Sequence, residues 1–472
     1  MAVPFLSVAQ MRDWENRTWA AGVKEEEVIA RVGKALADLI NNVTEPGVRI
    51  LILAGKGHNG DDARAAIPHI VNREVSCLNV VDPAVALRQI DSMLDSPPDV
   101  LVDGLFGIGL SRPLSEDWCR LIERINGLGS YVIAVDLPSG LHPDTGDNFG
   151  AVIRADTTLT VGAPKIGFLR KSAWPFVGKL EVAQDVGLIP CPFASETYLI
   201  TRDDIRGIPP RRVSATHKGN YGHLAIIAGS RGYHGAAVLA AQGAQRAQPG
   251  LITVFTQENV YMPIASQLRS AMVQPLVPTE FEIRDFTGVL IGPGLAAPDI
   301  SPAVISLVRR IWRDADVPVI VDASALDWLV SEPVPSKAVR VVTPHPGEAA
   351  RMLRATVDYV LGDRVAALRE ISSKYGGTWV VLKGYLSIIG RASGPIYVSN
   401  TGNPHLAQGG AGDVLAGYIS GLLAQPRLQP RVEEVLWFAV WQHGAAADHL
   451  TQIATNWTIE ELVEVIGQIR PR

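Results

Sequence analysis

Cysteine is scarce in this 472-residue chain: only Cys77, Cys119 and Cys191 occur, far apart and without a metal-ligand spacing. That pattern excludes a disulfide framework and a thiolate metal site, and suits reduced thiols in a cytoplasmic protein. Long apolar stretches are missing as well. No run of about 18 uncharged apolar residues occurs, so no transmembrane helix is expected. The opening MAVPFLSVAQMRDWENR has early acidic residues and no apolar segment of secretory length. An excess of basic charge is also absent. Lys and Arg total 43 against 48 Asp and Glu, a net charge of −5, which argues against nucleic acid or an anionic membrane as partner.

What is present points to a soluble α/β protein. Apolar residues make up 47% and charged residues 19%, a globular balance, and the length suggests about two to three domains. Short β-branched runs at 48–54, 75–82, 99–106, 131–137 and 157–162 alternate with helix-length segments, as in a parallel sheet buried on both faces. Residues 7–42 have the periodicity of two helices. A second series, at 222–230, 251–257, 288–294, 317–323, 340–346 and 378–384, precedes a helix over 432–450. The Pro-rich stretch 190–212 separates the series, so domains are expected over 1–193 and 194–472, neither a copy of the other.

In the first half, the strand VRILILA runs into Gly55-Lys56-Gly57-His58-Asn59-Gly60-Asp61-Asp62 and then a helix. This G-x-G-x-x-G either cradles a pyrophosphate at a helix N-terminus or is only a tight turn. Two further strand ends carry Asp103-Gly104-Leu105-Phe106-Gly107-Ile108-Gly109-Leu110-Ser111-Arg112-Pro113 and Asp136-Leu137-Pro138-Ser139-Gly140. Ligands of open parallel sheets lie beyond the carboxyl ends of strands, so three such loops favour one crevice. With PKIGF at 164–168 and a strand expected over 179–190, residues 5–190 resemble the epimerase of hydrated NADH and NADPH (NADHX and NADPHX), a Rossmann-like three-layer domain. The resemblance implies that His58, Asn59, Gly60, Asp61 and Asp62, with Gly107, Ile108, Gly109, Leu110, Ser111, Arg112 and Pro113, hold the dinucleotide. It also implies that Asn59, Asp103 and Ser139 bind K⁺, and that Asp136, with Lys165 nearby, moves a proton at the nicotinamide ring. The family loop reads NNGGD. Here Asp61 replaces its second glycine, adding a negative charge near the expected phosphate.

The second half holds Thr401-Gly402-Asn403-Pro404-His405-Leu406-Ala407-Gln408-Gly409-Gly410-Ala411-Gly412-Asp413, followed by an apolar helical run. Small residues at a helix start turn N–H groups inward as an anion hole, and Asp413 is placed to take a proton from a hydroxyl. Lys383-Gly384-Tyr385-Leu386-Ser387 follows another strand. His345-Pro346-Gly347-Glu348 is either part of the site or simply a Pro-initiated helix with Glu in its first turn. Together with His217-Lys218-Gly219, GHLAIIAGS, YHGAAVLAAQGAQRA and IGPGL, residues 197–465 resemble the ribokinase-like dehydratase of hydrated NAD(P)H. That implies ADP or ATP, with Mg²⁺, held by Lys383, Gly384, Tyr385, Leu386, Ser387, Asn403, Gly409, Gly410, Ala411 and Gly412. Ala236, Gly294 and His345 would touch the hydrated nucleotide, and Asp413 would be the base. The chain departs from the family at His405 and Gln408, where Gly and Thr are usual, and at Ser324, where a second Asp is common.

The two resemblances imply one repair enzyme that epimerises R- to S-NAD(P)HX and dehydrates the S form, with ADP as the expected phosphoryl donor and a homo-oligomer as the expected assembly. The alternative is a ribokinase-like small-molecule kinase whose N-terminal half is a non-catalytic dinucleotide-binding or scaffolding module.

Overall fold

The computed structural model describes residues 2–332, 334 and 337–471. It divides into two compact units, residues 3–196 and the chain from Thr197 onward. Each is built on its own sheet.

In the first unit six strands pair in parallel, in the order Glu74–Asn79, Arg49–Ala54, Val100–Gly104, Tyr131–Val135, Thr157–Val161, Lys179–Ala183. Strand period sends Ile50 and Ile52 to one face and Leu51 and Leu53 to the other, and all four are buried. The helix Glu25–Val43 covers the first face through Val32, Leu36 and Ile40. On the second face lie the helices Pro83–Asp91 and Glu116–Asn126, through Ile90, Leu121 and Ile122. The three layers follow from that alternation. The strand expected over 179–190 stops at Ala183. Gln184 and Asp185 break its apolar pattern, and Gly187 has φ +92°, which a strand cannot continue through.

In the second unit the order is Thr197–Leu199, Ile396–Val398, Ile388–Gly390, Trp379–Leu382, Arg340–Val342, Val319–Val321, Gly288–Ile291, His223–Ile227, Leu251–Thr256, Met272–Pro275. The sheet is mixed: Ile388–Gly390 runs antiparallel to both neighbours. A short hairpin around Gly394, φ +83°, turns the chain back, so no crossover helix is needed there. Among the described residues, no helix is long and apolar enough to cross a membrane.

The helices His234–Ala247 and Ala411–Leu423 pack backbone against backbone. A methyl group on Gly417 would stand 1.9 Å from the Ala240 carbonyl oxygen, and one on Gly243 would stand 2.3 Å from that of Val414. Small residues at both crossing positions allow that approach, and the Ala411 end of the second helix is thereby set against the sheet. Gly417→Ala is expected to cost about 1–3 kcal/mol through overpacking, read as a lower urea midpoint at unchanged slope.

Candidate functional site

Strand order locates a crevice in each unit. In the first, the order reverses between Arg49–Ala54 and Val100–Gly104, so the loops after these two strands open over a topological switch point. The helix His58–Ala66 begins there, with Asn59 and Gly60 already in its first turn. A methyl group on Gly60 would lie 2.1 Å from the Gly55 carbonyl oxygen, and one on Gly55 would lie 2.1 Å from that of Leu105. These two glycines are therefore demanded by the turn itself. Gly57 and Gly109 face open space, and Gly109, Ser111, Arg112 and Pro113 are exposed.

Around that turn Asp103 is fully buried. Its carboxylate accepts from Ser139 N at 2.8 Å, Ser139 Oγ at 2.7 Å and Leu105 N at 3.2 Å. Burial raises its pKa to about 6 while these donors pull it down. Asn59 donates from Nδ2 to Phe106 O at 3.0 Å, and its buried Oδ1 has no hydrogen-bond partner. A methyl group on Gly107 would come within 3.6 Å of that oxygen. Asn59, Asp103 and Ser139 thus share one oxygen-rich spot.

Asp136 sits just beyond the strand Tyr131–Val135 at φ +64°, an uncommon conformation for a non-glycine residue. Its Oδ1 accepts from Lys165 Nζ and from Val161 N at 3.1 Å. Lys165 is fully buried, and its ammonium is completed by Thr160 Oγ1 at 2.9 Å and Ala163 O at 3.2 Å. The lysine holds one carboxylate oxygen, and Oδ2 takes part in none of these bonds. Asp62 has its pKa raised to about 8, first by burial and then by Asp136, Asp61, Glu15 and Glu25, so it is largely protonated at pH 7. Glu15, on the helix Val8–Ala20, is raised by burial and by Asp136. Sequence reading passed over Glu15, because a Glu in an amphipathic helix looks like a solvated face. Asp61, the departure from the family loop, is paired to Arg64 at 2.6 Å. His58 points elsewhere, to Glu25 at 2.9 Å.

In the second unit the order reverses between Gly288–Ile291 and His223–Ile227. Here Gly294 and Ala236 meet: a methyl group on Gly294 would stand 3.0 Å from Ala236 Cβ and 2.3 Å from Tyr233 O. Ser230 ties the two loops, donating to Gly294 O at 2.6 Å and accepting from Ala297 N at 3.0 Å.

Lys383 does not project into solvent as a free phosphate ligand would. Its Nζ is 2.8 Å from Asp322 Oδ1 and 3.9 Å from Glu348 Oε2. Burial opposes its charge, yet Asp322, Glu348 and Asp413 outweigh burial and the pKa is raised. Thr343 Oγ1 donates to the same Asp322 oxygen at 2.7 Å. His345 caps the helix Pro346–Leu353, accepting from Gly347 N at 3.0 Å, while Glu348 returns a bond to His345 N at 2.8 Å. HPGE is thus a capped helix start whose Glu348 faces the buried lysine.

The helix expected to begin after Asp413, at Val414, starts three residues earlier, at Ala411, with Gly410 (φ +101°) as N-cap. The small residues are already helical because packing on His234–Ala247 overrides their low propensity. Asp413 therefore lies in the first turn. Its pKa is raised to about 7, by burial and then Asp322, with Lys383 opposing. A methyl group on Gly412 would sit 3.2 Å from Lys383 Nζ, and one on Gly409 would meet open space. The turn, the lysine and Asp322 converge. Gly384 to Ser387 are placed by Arg364, another residue the sequence did not flag, which donates to Leu382 O at 2.9 Å and Leu386 O at 3.1 Å. Burial lowers its pKa to about 10, so it stays charged. Asn403 is spoken for: its Oδ1 accepts from His405 N and its Nδ2 donates to Asp448, both at 3.1 Å.

Known proteins share this layout. The family model for NAD(P)H-hydrate dehydratase matches residues 224–468, and that for the YjeF-related protein N-terminus matches 77–167. A bifunctional NAD(P)H-hydrate repair enzyme of Coxiella burnetii is 32% identical over 94% of this chain and 94% of its own. One from Escherichia coli is 32% identical over 91% and 86%. The crystal structure of an ADP/ATP-dependent NAD(P)H-hydrate dehydratase from Bacillus subtilis, co-crystallised with ATP/Mg²⁺, is 31% identical. It covers 57% of this chain and 95% of its own, with a TM-score of 0.52. With two switch-point crevices on one chain and relatives matching both halves, the chain belongs to the family of bifunctional NAD(P)H-hydrate repair enzymes.

Proposed function

We propose a residue-level division of labour for the family's two activities, epimerisation of R- to S-NAD(P)HX and nucleotide-dependent dehydration of the S form. The observation that carries it is the buried group Asp322, Lys383, Glu348 and Asp413 at the start of the helix Ala411–Leu423.

In the second unit, ADP or ATP lies with its phosphates along the turn Gly409–Gly412. Asp413, poised near neutrality, removes the proton of the C6 hydroxyl as its oxygen attacks the terminal phosphoryl group. Carbon–oxygen cleavage then releases phosphate, a far better leaving group than hydroxide. The ring nitrogen supplies electrons, and loss of a proton from C5 restores the double bond of NADH or NADPH. Lys383, paired with Asp322 and close to Glu348, sets a positive charge between those acids and the incoming phosphates. Among the described residues no three acidic or histidine side chains are grouped to hold a metal ion, so Mg²⁺ would come with the nucleotide's own oxygens and offset phosphate charge when bound. Ala236, Gly294 and His345 bound the space for the hydrated ring.

In the first unit, inversion at C6 requires the hydroxyl to leave and water to return from the other face. Asp62, protonated at pH 7, gives the proton to the departing hydroxyl. Asp136 takes one from the returning water, with Lys165 holding its charge. Asn59 Oδ1, Asp103 and Ser139 are the oxygen donors that would hold K⁺, a cation that would there steady the dinucleotide's negative charge; the unpartnered Asn59 oxygen supports that fit. The exposed loop Gly107–Pro113 takes the pyrophosphate. ADP as preferred donor and a homo-oligomeric assembly belong to the same proposal.

Purified protein given mixed R- and S-NADHX with Mg²⁺, K⁺ and either ADP or ATP should recover absorbance at 340 nm with stoichiometric phosphate release. Asp413→Asn should lower S-epimer dehydration by about 10³-fold or more. The wild-type rate should rise with pH through about 7 as Asp413 loses its proton, since its carboxyl is neutral below its raised pKa and charged above it. Asp62→Asn and Asp136→Asn should abolish consumption of R alone; unchanged R turnover would remove both from the mechanism. Gly409→Ala, whose methyl meets no protein atom, should fold normally yet raise KM for the nucleotide about tenfold, equivalent to about 1.4 kcal/mol.

A further inference from the structure

The nucleotide turn does not hold itself. Four separate bonds reach it from the helix Val432–Ile453. Asp448 accepts from Gly402 N and from Asn403 Nδ2, both at 3.1 Å. Thr401 Oγ1 donates to Trp441 O at 3.0 Å. His443, buried, contacts Ala411 O through Nε2 at 3.0 Å. Gly444 lets the segments close, because a methyl group there would stand 2.5 Å from the Thr401 carbonyl carbon.

These partners lie on successive turns of one helix, so they form a rigid ruler spanning both ends of the loop. Asp448 fixes where the loop enters, at Gly402, whose φ of +103° is open only to glycine. It also sets the Asn403 amide, because a flipped amide would place NH₂ against His405 N–H and its oxygen against the Asp448 carboxylate. His443 fixes where the loop ends. A histidine donating from Nε2 satisfies a second lone pair of Ala411 O, in the first residue of the helix that carries Asp413. Burial lowers its pKa to about 4, which keeps it a neutral single donor at physiological pH.

We propose that Asp448 and His443 are positioning residues for the nucleotide: through their bonds to Gly402, Asn403 and Ala411 they set the spacing of the loop that receives the phosphates. The inference rests on the reading of 403–412 as the nucleotide loop.

Asp448→Asn keeps volume and helix but turns an amide group toward one of two donors. His443→Phe keeps the buried ring and removes the bond to Ala411. For each, the Kd for ATP with Mg²⁺ is measured by calorimetry, alongside KM for S-NADHX, kcat and Tm. The expected result for Asp448→Asn is a Kd for ATP raised roughly tenfold, with KM for S-NADHX within about twofold and Tm nearly unchanged. His443→Phe should lower kcat as well, since it also shifts the Asp413 turn. Parallel loss of ATP binding, substrate binding and Tm would overturn the proposal in favour of a purely structural role, and so would wild-type values throughout. Gly409→Ala separates the two readings. If it weakens ATP binding while Asp448→Asn does not, the positioning role alone falls. If Gly409→Ala also binds ATP normally, the loop assignment falls with it.

Discussion

One buried ammonium holds the second site together. Asp322 follows the strand Val319–Val321, Glu348 and Asp413 lie in the first turns of two helices, and the three carboxylates would repel one another where they are largely buried together. Lys383 sits among them at 2.8 Å from Asp322 and 3.9 Å from Glu348. Removing one member of such a group leaves uncompensated charge, which is costlier than the group itself. The same ammonium decides the state of Asp413. Burial and two neighbouring carboxylates push its proton affinity up, and the lysine restrains the rise near neutrality, where a base is of most use.

The first unit solves a similar problem with a different fold detail. Lys165 is buried completely and spends its donors on Asp136, Thr160 and backbone carbonyls. In both crevices a buried lysine is a fixed counter-charge for a carboxylate.

Much of the architecture was legible because both sheets are mainly parallel and doubly covered, which leaves compact apolar runs separated by helices. Ile388–Gly390 and Ile396–Val398 were not, since three residues carry no readable period. The start at Ala411 was missed because Gly-Ala-Gly has poor helix propensity, and only the close crossing with His234–Ala247 makes it helical. Within the sites, local motifs stood out: the glycine turns, Asp103, Asp136 and Asp413. Partners distant in sequence did not. Asp322 and Lys383 lie 61 residues apart, Arg364 reaches its carbonyls from a neighbouring helix, and Asp448 is a lone acid in an apolar stretch. A hydrogen bond formed across the fold leaves no spacing rule in the chain.

Asp61 illustrates how such a partnership changes the meaning of a single position. Scored alone, an acid in place of the family's second glycine reads as damage to an anion site. Yet Arg64, one helical turn on, pairs with it at 2.6 Å and also bonds Gly55 O and Asn79 Oδ1. The acid and the arginine hold each other in place. A glycine at 61 would strip Arg64 of this counter-ion and leave its guanidinium held only by the neutral oxygens of Gly55 and Asn79.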